Sequence, residues 1–395
     1  MDPRTKTDRA RRLSHRSAHL REASILRALT LKVMAFPDGI NLGQGVCDLE
    51  MPRPLRLGTV ESIFKERATY TPYGGIKPLR EVISRRYEER YGLKYAPDDV
   101  VVTIGSSMAY TATIMTLLDP GDEIILFEPF YPYHRSAAIL AGAKVITMRL
   151  DPPDQPVDFG SLRLLMTDRT RAIVVNTPGN PGGKVWTPDE IDGLARVVED
   201  TGVTIITDEI CEDLVYDGRT HVPPATHPAL FDKTVTISGA SKCFSITGWR
   251  IGWLAAPPDL ARAIGPVFDV MCVCAPRPLQ SGVAAALREL PASYYSALRE
   301  DYEKRRELLS AALQDAGFRI HVPAGAYYIL ADYTARYGRI PPTEASFRLL
   351  EETHVAAIPG DIFFAENPPP ALRFQFAVEE PVIAEVARRL RKRNA

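Results

Sequence analysis

This sequence is poor in the features that most quickly narrow a protein's class. No apolar run approaches the roughly 18–20 residues needed to span a membrane. The first residues lack the apolar core of a signal peptide, so a cytoplasmic location is expected and no membrane partner is. Cysteine is scarce, with five residues at positions 47, 211, 243, 272 and 274. Their number is odd and their spacing irregular, and Cys272 and Cys274 have no second Cys or His pair nearby. Neither a disulfide framework nor a zinc site is supported, and no metal is expected. Reduced thiols in a cytosol fit best. Net charge is nearly absent, at −1 for 395 residues, which gives no reason to expect nucleic acid as a partner. Basic residues do gather at the ends, seven Arg or Lys within residues 1–21 and the run Arg388 to Arg393. They read as a solvated arm and as a helix C-terminus complementing its dipole. Internal repeats and low-complexity segments are absent.

What is present is a globular balance, 45% apolar and 25% charged, in a chain long enough for two subdomains. Helical periodicity runs from Ser24 to Ala35 and stops at Phe36-Pro-Asp-Gly39. A second helix is expected from about Leu79 to Tyr91. From residue 100 short β-branched runs alternate with helical segments: 100–104, 123–127, 144–147, 172–175, 203–207, 234–237 and 251–256. Near-continuous apolar strands separated by helices predict an α/β fold with a mostly parallel sheet covered on both faces. Beyond about residue 258 long helical patterns dominate (258–289 and 293–316), followed by short strands near 318–322 and 327–331 and a last helix from about 381. This is expected to be a smaller α+β subdomain, completed by the N-terminal segment. The resulting division is 1–50 as arm and part of the small domain, 51–285 as the large domain and 286–395 as the small one.

Open α/β sheets bind ligands beyond the carboxyl ends of their strands, so the polar residues there are the ones to collect. Lys242 lies in the small-residue loop Ser238-Gly-Ala-Ser-Lys-Cys-Phe-Ser, where a planar ligand can approach the amine. Desolvation there would favour the neutral amine that carbonyl chemistry requires. Arg250 follows with a fork suited to phosphate. Ser106 and Ser107 sit between a strand and a helix start, where free N–H groups suit an anion, though serine is also an ordinary cap. Tyr131 follows another strand and could lie on a ring. Asn180, in the turn-rich Asn176-Thr-Pro-Gly-Asn-Pro-Gly-Gly183, could donate its amide to an anionic oxygen. Asp208 ends a further strand, and a carboxylate buried there needs a cationic partner. An amine, a phosphate cradle, a stacking ring, a phenolate partner and a pyridinium partner are together the requirements of pyridoxal 5′-phosphate.

At these residues the chain resembles the fold-type I pyridoxal-phosphate-dependent aminotransferases of class I/II, over nearly its whole length. The Ser-Lys…Thr-Gly-Trp-Arg-Ile-Gly segment around Lys242, the Asn-X-Pro-X-Asn-Pro segment around Asn180, and the intervening Asp208-Glu209 pair carry the resemblance. It implies a mostly parallel, seven-stranded-type sheet flanked by helices and a transferase of the amino-group class. Lys242 would then hold the cofactor as a Schiff base and serve as base. Asp208 would face the pyridine nitrogen, Asn180 the ring oxygen, Tyr131 the ring, and Ser106, Ser107 and Arg250 the phosphate. Tyr70, in Tyr-Thr-Pro-Tyr-Gly-Gly75, looks like the tyrosine that reaches the partner subunit's phosphate, which implies a homodimer with shared sites. Arg373, in Leu372-Arg-Phe-Gln-Phe-Ala377, resembles the clamp for the substrate α-carboxylate, with the Gly45 N–H beside it. Arg277 lies where the family's inter-subunit substrate loop runs and could meet a distal carboxylate, although a surface role fits it as well.

Two departures stand out. Cys211 occupies the place of a tyrosine that donates to the ring oxygen, and Gly239 the place of a serine that donates to the phosphate. The expected reaction is ping-pong transamination from an L-amino acid to a 2-oxo acid, with 2-oxoglutarate as the expected acceptor. The alternatives on the same constellation are a C–S β-lyase and a non-catalytic cofactor-binding regulator. The latter is disfavoured, since the short basic arm cannot form a helix-turn-helix.

Overall fold

The computed structural model of the protein describes Ser14, Arg16 and residues 22–391. The basic arm expected over residues 1–21 otherwise lies outside these residues, as does the end of the C-terminal basic run beyond Arg391. After the helix Glu22–Met34 comes a two-residue strand, β1 (Ile40–Asn41). The next strands are β2 (Val100–Ile104), β3 (Glu123–Glu128), β4 (Lys144–Arg149), β5 (Thr170–Asn176), β6 (Thr204–Asp208), β7 (Thr234–Gly239) and β8 (Ile251–Ala255). These seven form one sheet in the order β2-β8-β7-β6-β5-β3-β4. Only β8 runs against its neighbours β2 and β7. The connection between β7 and β8 spans only residues 240–250, shorter than the dozen or so residues that a parallel crossover needs, so the chain turns straight back. That reversal carries Lys242.

Both faces of the sheet are covered, which explains why its strands read as unbroken apolar runs. Ile124 and Leu126 pack with the helices 106–117, 132–141 and 258–272 through residues such as Ala109, Ala138, Ile264 and Phe268. Ile125, between them, points the other way, into a cluster with Leu162, Ile191, Leu194 and Val198. The alternation is the period of two expected of a strand. The carboxyl ends of β2, β3, β5, β6 and β7 therefore share one edge.

The second layer of structure contains β9 (Arg319–Ile320), β10 (Tyr328–Asp332), β11 (Val355–Ala356), β12 (Ile358–Pro359) and β13 (Ala371–Gln375). An antiparallel sheet has the order β12-β13-β10-β9, while β1 pairs in parallel with β11, Ile40 opposite Val355. The N-terminal segment thus shares structure with the chain's C-terminal part. The helical pattern expected over 258–289 is two helices, Pro258–Cys272 and Arg277–Glu289. Pro276 accounts for the break, because a residue before proline is pushed out of the helical region, and Val273 has φ +64°. Two further helices, Arg53–Lys65 and Pro342–Thr353, are not marked in the sequence pattern. In the first, Leu57, Val60, Ile63 and Phe64 gather on the exposed side, and the buried side carries a single apolar residue, Leu55, with Thr59 and Ser62, so the apolar stripe does not mark the face that packs.

Candidate active site

Where β2 ends, Gly105 adopts φ +72° and starts the helix Ser106–Leu117. A Cβ at Gly105 would collide with the guanidinium of Arg250, so that guanidinium lies directly against the helix start. No side chain caps this helix, and its first N–H groups have no partner within the helix itself. Arg250 holds a left-handed backbone, φ +60°, a conformation that costs an arginine about 1 kcal/mol or more and clusters at functional sites. Its Nη1 donates to the Thr247 carbonyl at 3.0 Å, and no carboxylate among the described residues pairs with it. A helix start plus an uncompensated guanidinium make a corner for a doubly charged anion.

Three strands along from β2, Asp208 ends β6 beside Asn176, which ends β5. The Asp208 carboxylate is buried and meets His134 Nε2 at 2.9 Å through one oxygen. Its other oxygen accepts from the Ile210 N–H at 3.2 Å. Asn176 ties this corner together, since its Nδ2 donates to the Asp208 carbonyl at 3.0 Å and its Oδ1 accepts from the Asn180 N–H at 2.7 Å. Tyr131 begins the helix Pro132–Ala141, and its ring stands edge-on to that of His134, centroids 5.3 Å apart. Burial pushes the Tyr131 phenol up, which keeps it neutral. Lys242 Nζ rests 3.3 Å from the Gly45 carbonyl and 5.3 Å from the centre of the Tyr327 ring. Tyr327 donates to the same carbonyl at 3.1 Å and accepts from Tyr328 at 2.7 Å.

Arg373 comes from β13 in the other sheet. It is only 5% exposed, donates to Asn180 Oδ1 at 2.8 Å and to the Gly43 carbonyl at 2.6 Å, and lies over the rings of Tyr328 and Phe363 at 4.5 and 5.1 Å. Its Nε is buried without a partner, and no carboxylate among the described residues pairs with it. Desolvation accordingly lowers its pKa. A buried guanidinium facing only neutral groups is costly until an anion arrives.

The sequence-expected residues Gly45, Ser106, Ser107, Tyr131, Asn180, Asp208, Lys242, Arg250 and Arg373 all line one cleft of about 730 Å³, a size that suits a cofactor with a small substrate. Tyr70 does not. It is 80% exposed outside the cleft, and its carbonyl accepts from Arg277 Nη2 at 3.3 Å. Arg277 is likewise outside, paired with Glu66 at 3.5 Å.

Both departures have a structural setting. Cys211 lines the cleft, and burial pushes its thiol up, so it stays a neutral, weak donor. Gly239 pairs with Gly252 across β7 and β8, and a Cβ there would sit 2.9 Å from the Gly252 Cα. A serine has no room. Ser238 turns instead toward Glu212, 3.2 Å away, whereas Ser241 lines the cleft.

Sequence reasoning missed His134 and Asn176. His134 stands three residues after Tyr131, one helical turn on, which is the only local signal for it. Asn176 was visible as the strand-ending residue of its own motif. Among the described residues no cluster suited to a metal ion occurs, and no helix is long and apolar enough to cross a membrane.

The pattern has counterparts among known proteins. Residues 37–390 match the family model for aminotransferase class I and II. The chain is 33% identical to a probable N-succinyldiaminopimelate aminotransferase of Mycobacterium tuberculosis, covering 89% of this chain and 91% of that one. It is also 33% identical to a methionine aminotransferase of Escherichia coli, over 89% and 92%. The solved structure of N-succinyldiaminopimelate aminotransferase from Mycobacterium tuberculosis superposes with a TM-score of 0.90 at 32% identity, covering 96% of this chain and 99% of that one. An anion corner at a helix start, a lysine at a strand reversal and a buried carboxylate at a strand end fit the cofactor that this family uses. The chain belongs to the class I and II aminotransferases and is a pyridoxal-phosphate-dependent enzyme of that family.

Proposed function

We propose that this enzyme moves the amino group of an L-amino acid to a 2-oxo acid, with 2-oxoglutarate as acceptor, in two half-reactions at one site. The observation that carries the proposal is Arg373, a buried guanidinium with two neutral partners, a free Nε and no carboxylate. It is suited to a carboxylate held beside the reacting carbon, and an amino acid and an oxo acid both bring one.

When bound, pyridoxal phosphate supplies an electron sink that acidifies the substrate Cα–H. The chain's residues do the rest. Ser106, Ser107 and Arg250 would receive the phosphate at the helix start. Asp208, oriented by His134, would keep a proton on the ring nitrogen, and Tyr131 would lie against the ring. Asn180 Oδ1 is taken by Arg373, which leaves its NH₂ to donate to the ring oxygen. Lys242 would anchor the cofactor, and its amine would take the proton from the substrate Cα as general base. Arg373 and the Gly45 N–H hold the α-carboxylate and so fix which bond to Cα faces Lys242.

A homodimer with shared sites is part of the proposal. Leu57, Val60, Ile63 and Phe64 form one exposed apolar stripe on the helix Arg53–Lys65, with Phe64 84% exposed, opposite the buried Leu55, Thr59 and Ser62. Such a stripe favours coverage by another protein surface, and exposed Tyr70 follows it in the chain. A large domain over 51–285 is supported by the close packing of Gly58 on Ala285 and of Gly282 on Thr59. A small one over 286–395, with part of 1–50, is supported by the pairing of β1 with β11. The five free cysteines are compatible with a reducing cytoplasm.

A screen of amino acids against 2-oxoglutarate, read as glutamate formed, tests the reaction. Turnover of β-chloroalanine to pyruvate without any oxo acid, and no glutamate from any amino acid, would place the enzyme with the β-lyases instead.

A further inference from the structure

The cleft holds one cation more than the proposed chemistry uses. Among the described residues lining it there are four, Arg27, Lys242, Arg250 and Arg373, against a single carboxylate, Asp208. Asp208 is already engaged by His134. In the proposed chemistry Lys242 and Arg250 serve the cofactor and Arg373 the α-carboxylate. Arg27 is left over, exposed on the helix Glu22–Met34, with no carboxylate among the described residues paired to it.

The helix is not loosely placed. Leu29 and Val33 bury their side chains in a cluster with Ile358, Ile362 and Phe363. Arg27 and Thr30, three residues apart, share the adjoining face, and both line the cleft. Phe363 links the Arg27 helix to Arg373. It packs in the cluster that docks the helix and lies under Arg373 at 5.1 Å. The same cleft is lined by apolar Ile358, Ile362 and Phe363, which pack under the helix, and by Tyr328, whose ring lies under Arg373. Side chains of that composition accommodate methylene groups, and a second cation in the same cleft favours a substrate with a second negative charge.

We infer that Arg27 is a specificity-determining residue that receives the distal carboxylate of a dicarboxylic substrate, an acidic L-amino acid of glutamate length or longer and its oxo acid. The inference rests on the proposed role of Arg373. It places the recognising cation on the chain's own N-terminal helix, whereas Arg277, outside the cleft and paired with Glu66, is not needed for it. Because Arg27 is exposed, its attraction is partly screened by salt, and a charge-assisted contact of this kind is worth roughly a ten- to hundredfold preference.

The test uses the holoenzyme and two unreactive probes of matched length, glutarate and pentanoate, with dissociation constants measured by calorimetry. The parent should favour glutarate by about ten- to a hundredfold, and 0.5 M salt, at a Debye length of about 4 Å, should narrow the gap. In Arg27→Gln the preference should collapse while pentanoate binds as before, and kcat/KM should fall for glutamate but not for norleucine. Arg277→Gln should keep the parent's preference. The inference is overturned if the parent shows no preference, if Arg27→Gln retains it, if pentanoate weakens equally, or if Arg277→Gln abolishes it. Failure of the transamination reading looks different: glutarate is preferred through Arg27, yet no amino acid yields an oxo acid.

Discussion

Replacing Arg373 by lysine keeps one positive charge and removes the planar fork. In the parent, Nη1 and Nη2 are spent on Asn180 Oδ1 and the Gly43 carbonyl at 2.8 and 2.6 Å, which fixes the plane of the guanidinium and aims its remaining N–H groups, Nε among them. A lysine ammonium can satisfy a carboxylate or those two carbonyl oxygens, not all three in one geometry. The loss is at least one charge-assisted hydrogen bond to substrate, about 1.5–3 kcal/mol. At about 1.4 kcal/mol per tenfold, kcat/KM for amino acids should fall roughly 10- to 150-fold. The α-carboxylate is held in ground state and transition state alike, so the fall should be mainly in KM. Steady-state kinetics on Arg373→Lys, with the visible absorbance of the bound cofactor as a check on the site, measures this. An unchanged kcat/KM would refute the clamp, as would a parent equally active on amino acids and on the amines that lack their carboxylate.

Lys242→Ala should bind the cofactor yet lose essentially all turnover, and borohydride should fix the cofactor on Lys242 of the parent; mass spectrometry finding the adduct elsewhere would remove Lys242 from its role. Mixed chains of Tyr70→Phe and Lys242→Ala should regain activity through hybrids with one intact site, whereas silence despite demonstrated subunit exchange would mean that Tyr70 serves no neighbouring site. Cys211→Tyr should place a hydroxyl donor at the ring oxygen of the lysine-bound cofactor and stabilise that anion. The protonated form then loses its relative advantage, so the pH midpoint of the visible absorbance should move down by roughly one unit, the scale of one charge-assisted hydrogen bond. An unmoved midpoint with the hydroxyl in contact would defeat this account.

The chain's local chemistry was legible in sequence wherever a property depends on neighbours along the chain. Buried strands declared themselves as β-branched runs, and Asn176, Asp208 and Lys242 could be placed at strand ends, because a strand must end where turn residues begin. The sheet's mostly parallel order follows from the intervening helices. The tertiary structure decided what depends on distance across the fold. It brought Arg373, from the antiparallel sheet, within 2.8 Å of Asn180, a contact between residues far apart in sequence. It set His134 on Asp208 and left Tyr70 and Arg277 outside the cleft. It also placed Arg27 on the cleft wall, since the docking of its helix depends on Ile358, Ile362 and Phe363, more than three hundred residues away. Periodicity can say that a helix has an apolar face; only packing says which polar residue beside that face meets the substrate.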